Sequence, residues 1–319
     1  MVERIGPILF LLFLLTGGSL RAREGLAKEH RFTVGSGTTL KLDTFAGAIK
    51  IVPTVGTDEI VVRLQTEASG GRPGAAQRWM EGVALSTEQQ EGQLSVVIRH
   101  RSGPVSIDLG EKPTGLVRLE ILVPIRTHLD VNAGSASVET GHDLEGDVRI
   151  RVAVGSIFLG RTFGRVRVRV DEGGITVSRA TEVVDLRTLR GDIRVGTLAE
   201  SATLETGNGN ISIFSAERGI NARAAAGSIE ATVGEGLSED SVLATAGGDI
   251  RLAINSAANV TVRARSVWGR ITARLPLVTT AGGAGQSRLG GRINRGGSQL
   301  NLHASGGNIV MTSVQNDGG

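Results

Sequence analysis

Ten segments of this 319-residue chain share one twelve-residue pattern, and a fixed repeat constrains a fold more tightly than any local motif. The pattern reads apolar-x-apolar-x-small-x-x-Gly-polar-Ile-x-apolar. Five consecutive copies begin at Val148, Val166, Val184, Ala202 and Ile220, always 18 residues apart. Copies at Thr127, Ser241 and Val262 extend the series at intervals of 21, and further copies begin at Leu40 and Leu300. A period near twenty residues marks a solenoid, in which each coil buries its apolar face by stacking on its neighbours.

Positions one, three and five of the pattern alternate as a strand does. Val148, Ile150 and Val152 face inward, while Arg149 and Arg151 face outward. Ile157 and Leu159 resume the inward set with the opposite parity, so a corner lies between. The pattern assigns Gly134, Gly155, Gly173, Gly191, Gly209, Gly227, Gly248, Gly269 and Gly307 to that corner. Glycine tolerates positive φ there and has no Cβ to strike the next coil. Ser156, Asp192, Asn210, Ser228, Asp249 and Asn308 follow the glycine, and such side chains bond to turn backbone. Six more residues close an 18-residue coil on a looser third side, where the longer intervals place a three-residue insertion. The expected fold is all-β: a β-solenoid (single-stranded β-helix) of 18–21-residue coils with an N-terminal strand-rich cap. The three-and-four spacing of helical repeats, the collagen G-x-y period and the nine-residue glycine-aspartate repeat of calcium-binding rolls are all absent.

Residues 1–22 read as an export signal: Arg4 supplies charge, Ile8 to Leu15 form a short apolar run, and small residues follow to Ala22. That run is shorter than the roughly twenty residues that span a bilayer. The expected location is therefore the periplasm, the outer envelope or the extracellular space. Residues 23–126 read as a β cap and first coils, 127–314 as the repeats, and 315–319 as a flexible tail. Leu277 to Gly297, rich in glycine, is expected to fold over the terminal coils, with Leu300 to Met311 as the last coil. The chain has no cysteine, which excludes disulfides, thiol catalysis and a lipid-modified N-terminal cysteine.

Three segments carry a resemblance: the corner Thr188 to Ile193 (TLRGDI), the strand ending Leu122 to Pro124 (LVP), and Gly291 to Met311 (GRINRGGSQLNLHASGGNIVM). With them the chain resembles the bacterial putative-adhesin family of β-strand-repeat proteins, a domain of unknown function, over residues 40–312. The resemblance implies a strand-repeat solenoid and surface attachment. It carries over no catalytic or binding residue.

Chemistry-bearing patterns are sparse. The histidines His30, His100, His128, His142 and His303 lack metal-ligand spacing, and no cofactor motif is present. With 35 basic and 32 acidic residues the charge is near balance, so nucleic-acid binding is not expected. Glycoside chemistry needs two carboxylates about 5 to 9.5 Å apart. Asp192 and Asp249 are three coils, about 14 Å, apart. Asp185 and Glu205 lie closer, but Glu205 stacks between Arg187 and Arg223, as in an ion-pair ladder. Trp79 and Trp268 are read as packing residues. What stands out is an outward strip of Arg149, Arg151, Arg167, Arg169 and Arg187, extended by Arg223, Arg263 and Arg265. The expected function is that of a non-catalytic exported envelope or surface scaffold. Its candidate partners are anionic polysaccharide, lipid head groups or an envelope protein. Competing readings are a periplasmic partner of an envelope-stress signalling system and a polysaccharide-active β-helix enzyme.

Overall fold

The computed structural model describes residues 24–70, 73–101, 113–235, 237–282 and 287–314. The expected export signal and the expected tail lie outside the described residues. The cap comprises β1 (Glu24–Thr33), β2 (Thr39–Thr54), β3 (Glu59–Ser69), α1 (Ala75–Gly82), β4 (Val83–Gln90), β5 (Gln93–His100) and β6 (Thr114–Pro124). A single long strand, β7 (His128–Thr140), opens the regular coils. Each later coil is split at its corner into two strands. They are β8 (Val148–Val154) with β9 (Ile157–Thr162), β10 (Val166–Glu172) with β11 (Ile175–Ala180), and β12 (Val184–Arg190) with β13 (Ile193–Leu198). Then come β14 (Ala202–Asn208) with β15 (Ile211–Ala216), and β16 (Ile220–Ala226) with β17 (Ile229–Val233). The C-terminal part adds β18 (Ser241–Thr245), β19 (Ile250–Asn255), β20 (Val260–Ser266) and β21 (Ile271–Arg274). It ends with β22 (Val278–Gly282), β23 (Arg288–Ile293), β24 (Ser298–Ala304) and β25 (Ile309–Val314).

Equivalent strands pair in parallel and in register, Val148 against Val166 against Val184 against Ala202. The alternation puts Val148, Ile150, Val152, Ile157 and Leu159 in the buried core. Each such aliphatic side chain contributes roughly 1.5–3 kcal/mol by burial. Past Leu159 the parity changes a second time at Gly160. Thr162, with Ala180, Leu198 and Ala216 stacked behind it, then faces the core from a short third side.

Two hydrogen-bond columns hold the main corner. Gly155, Gly173, Gly191, Gly209 and Gly227 have φ between +137° and +154°, and a Cβ on any of them would collide with a carbonyl oxygen of the adjoining coil. That oxygen belongs to the equivalent corner residue. From inside, Thr188 Oγ1 donates to the Gly173 carbonyl (3.0 Å), Thr206 to that of Gly191 (2.9 Å) and Thr245 to that of Gly227 (2.6 Å). The Thr-x-x-Gly spacing thus joins a buried hydroxyl to the glycine corner of the neighbouring coil. On the outside, five of the polar side chains after the glycine accept the next coil's N–H. Asp192 takes that of Asn210, Asn210 that of Ser228, Ser228 that of Asp249, Asp249 that of Asn308 and Asn308 that of Arg270.

That last sequence of partners departs from chain order. The β24–β25 coil lies between β18–β19 and β20–β21: Leu300 pairs with Ser241 on one edge and Val262 on the other. Leu300 to Met311 is therefore the penultimate layer and not the final one. The expected cover is present as β23 antiparallel to β20, with β22 outside it. The N-terminal end is built the same way. β2 is enclosed between β7 on one side and β5 and β6 on the other. Antiparallel β4 and β3 then cover β5 and β6, and β1 pairs with β3.

One assigned corner glycine is corrected. Leu129, not Thr127, aligns with Val148, so Ala136 occupies the corner beside Gly47 and Gly155. Gly134 lies two residues earlier within β7, where a Cβ would press on the Phe45 carbonyl oxygen at 2.5 Å. Helix α1 is an addition to the sequence reading. Its Trp79 lies flat over Gly115, where any Cβ would enter the indole, and against the His100 ring at 5.2 Å. The packing role read for Trp79 fits this position.

Replacing Gly209 (φ +154°) by Ala imposes both backbone strain and collision. It should lower stability by about 2–4 kcal/mol, read as a fall in urea midpoint. Gly35→Ala, where a Cβ meets nothing within 4 Å, should change it by less than about 0.5 kcal/mol.

Candidate functional site

Stacking in register turns outward positions of the repeat into columns along the rod. Position two runs Lys41, Asp130, Arg149, Arg167, Asp185 and Thr203. Position four runs Asp43, Asn132, Arg151, Arg169, Arg187, Glu205 and Arg223. All five strip arginines thus fall in two adjacent columns. Arg149 stacks on Arg167, and Arg151 on Arg169 and then Arg187. Beyond Arg223 the fourth-position column continues through Ala244 and His303 to Arg265, because the intercalated coil supplies His303. Arg263 stands in the second-position column at the same end, next to Asn301.

The strip divides electrostatically. Asp185 receives Arg187 at 2.8 Å and Arg167 at 3.6 Å, and Glu205 bridges Arg187 at 3.1 Å and Arg223 at 3.9 Å. The Asp185 carboxylate, hydrogen-bonded to Arg187, raises the guanidinium's already high pKa, and Glu205 adds to that by charge alone. The carboxylates of Asp185 and Glu205, on neighbouring coils, are thereby tied up as counter-charges. Arg149, Arg151 and Arg169 form no ion pair among the described residues and are exposed. At the cap end of the same column Asp43 binds Arg99 through two bonds of 3.0 and 2.5 Å. The Arg99 hydrogen bonds hold the Asp43 carboxyl below its ordinary range.

Beside the fourth-position column the corner hollows into a groove of about 750 Å³ that crosses several coils. Arg169, Arg187, Glu205, Arg223 and His303 form one wall; Leu189, Gly207, Ala225 and Ala246 line the corner side. Gly207, Ala225 and Ala246 have little or no side chain, which is what opens it. Trp268 stands past the groove's far end. Its backbone N–H donates to the Ser305 carbonyl (3.1 Å), and Ser305 lines the groove. The indole is 85% exposed, so the packing role read for Trp268 is overturned. The repeat held the signal. Position seven points outward at the corner and elsewhere carries Glu172, Arg190 and Asn208.

The histidines are dispersed. His128 Nδ1 accepts the Asp147 N–H (3.0 Å), and His100 packs at a tilt against Trp79. Among the described residues no three His, Asp or Glu groups gather in a way that could hold a metal. No helix among them is long and apolar enough to cross a membrane.

An all-β stack of parallel coils with capped ends is the class this architecture defines. The chain belongs to the Toastrack DUF4097 family, whose model matches residues 83–312. No curated protein matches the sequence. Among solved structures it is similar to a protein described as a putative lipid binding protein from Parabacteroides distasonis ATCC 8503. That likeness has 10% identity, covers 89% of this chain and 96% of the other, and gives a TM-score of 0.43. A putative adhesin from the same strain shares 11% identity over 90% and 98% of the two chains, TM-score 0.39. Another, from Bacteroides fragilis NCTC 9343, shares 11% over 90% and 97%, TM-score 0.35.

The cap ion pair gives a pH prediction. Because Asp43 has a lowered pKa when folded, its contribution is present above its unfolded value of 3.8 and is lost as pH falls through the folded value. Melting temperature should fall below about pH 4. Asp43→Asn should flatten that fall, and equal slopes for variant and wild type would contradict the assignment.

Proposed function

We propose that this protein is a non-catalytic, exported scaffold of the cell envelope or surface that holds an anionic partner on its arginine columns. The observation that carries the reading is the register of Arg149 on Arg167 and of Arg151 on Arg169. Like charges are repeated there at the strand spacing of about 4.8 Å, and among the described residues Arg149, Arg151 and Arg169 form no ion pair, although Asp130 stands in register beside Arg149. Such a column opposes folding unless a ligand's charge offsets the repulsion. Guanidinium groups at regular intervals grip carboxylates or phosphates through paired donors, so a repeating anion is the fitting partner. Acidic polysaccharide, lipid head groups and an acidic envelope protein share this chemistry. The ion-paired state of Asp185 and Glu205 supports a binding role over glycoside hydrolysis, which needs one carboxyl kept protonated.

Replacing Arg149, Arg151, Arg167 and Arg169 together by Gln should leave the circular dichroism spectrum unchanged, since all four side chains are exposed. Retention on an anionic-glycan column at low salt should drop, and wild-type retention should itself fade as salt rises past about 0.1 M. Unchanged retention of the variant would reduce the columns to a solvated face.

A further inference from the structure

We infer that the groove beside the fourth-position column is a binding site for a linear acidic polysaccharide strand lying along the stack axis, with Trp268 as the platform for one sugar ring. The inference rests on the anion-binding reading above and adds the site, the occupant and its direction.

Four observations converge on it. The groove is elongated across the coils and open, which suits a polymer passing through better than a compact molecule enclosed on all sides. Its wall is cationic. Arg169 is unpaired among the described residues, Arg223 reaches Glu205 only at 3.9 Å, and Arg151 and Arg265 continue the column beyond either end. The carboxylates there, Asp171 and Glu205, are outnumbered by the arginines. Its corner side is built from Gly207, Ala225 and Ala246, leaving space beside the cations and not merely charge on a convex surface. Finally, a chain with 3% aromatic residues and no tyrosine leaves one of its two tryptophans 85% exposed where the groove runs out. A large amphipathic ring in that setting contributes little to folding and leaves most of its surface to solvent.

The spacing favours a glycan over other anions. Coils recur at about 4.8 Å, so a strand along the stack axis passes Arg169, Arg187 and, two coils further, Arg223, and an acidic glycan carries carboxylates along its whole length to meet them. The hydrophobic face of a sugar ring packs on an indole. A lipid head group would present one phosphate at a membrane plane and would have no use for a groove that follows the rod.

The test uses the full chain and oligogalacturonate as probe, with binding followed by calorimetry at low salt and by tryptophan fluorescence. Trp268→Ala removes the platform. Ala225→Phe fills the groove from an exposed position and alters neither a core residue nor a charged one. Each variant should keep the wild-type circular dichroism spectrum and weaken binding by about tenfold or more, as loss of a central contact does. The fluorescence change on binding should disappear in Trp268→Ala, since Trp79 is packed in the cap. If both variants bind like wild type while the four-arginine variant loses the probe, the groove assignment falls and the anion-binding reading stands. If the wild type retains phosphatidylglycerol vesicles but ignores oligogalacturonate, the glycan occupant is wrong. If it binds neither, both proposals fall.

Discussion

The contact on which the structure depends is backbone against backbone at the coil corner. Where Gly173 passes over Gly155, and Gly191 over Gly173, the carbonyl oxygen of one coil occupies the space a side chain would need on the next. Close approach lets the threonine hydroxyl inside and the aspartate or asparagine outside reach across to the adjoining coil. Those bonds lock the register of every outward residue. The arginine columns are thus a consequence of glycine. Shift one coil by a residue and its arginines would turn into the core, so the charge pattern and the core pattern are one specification.

Stacked parallel coils expose pairing edges at both ends, and such edges recruit other chains unless they are blocked. This protein blocks them by burying a terminal segment one layer inside each end. β2 is enclosed by β5, β6 and β7, and β24–β25 by the coils on either side of it. Removing either segment would require opening two ladders at once. Antiparallel strands, β3 and β4 at one end and β23 at the other, then cover the outermost parallel layers. The intercalation also shapes the groove. It places His303 and Ser305 in the groove and leaves Trp268 just beyond them.

Much of this was legible in the repeat, and the failures have physical reasons. Val148 to Leu159 specify inward and outward faces because burial alternates with the pleat, so the core, the columns and most corner glycines follow from the pattern alone. Gly134 misled because Thr127 to Val138 carries the glycine of the pattern, whereas the register two residues later, Leu129 to Thr140, keeps the inward alternation with Ala136 in the glycine's place. Only pairing with β2 and β8 selects the one with Ala136 at the corner. The order of the last coils was hidden because Ser241, Val262 and Leu300 begin equally good copies, and a nearest-neighbour pattern does not say which neighbours which. Helix α1 is too short to show a period of its own. The groove arises from what Gly207, Ala225 and Ala246 lack, which a search for reactive side chains passes over.

Amide hydrogen exchange resolved by segment tests the architecture most directly, because β24–β25 is last in the chain but interior in the stack. The account predicts that amides of Leu300 to Val314 exchange as slowly as those of β18 and β19, and far more slowly than those of the outer strand β22. Exchange across Leu300 to Val314 as fast as in β22 would place that coil at an open end. It would dissolve both the intercalated order and the groove that depends on it.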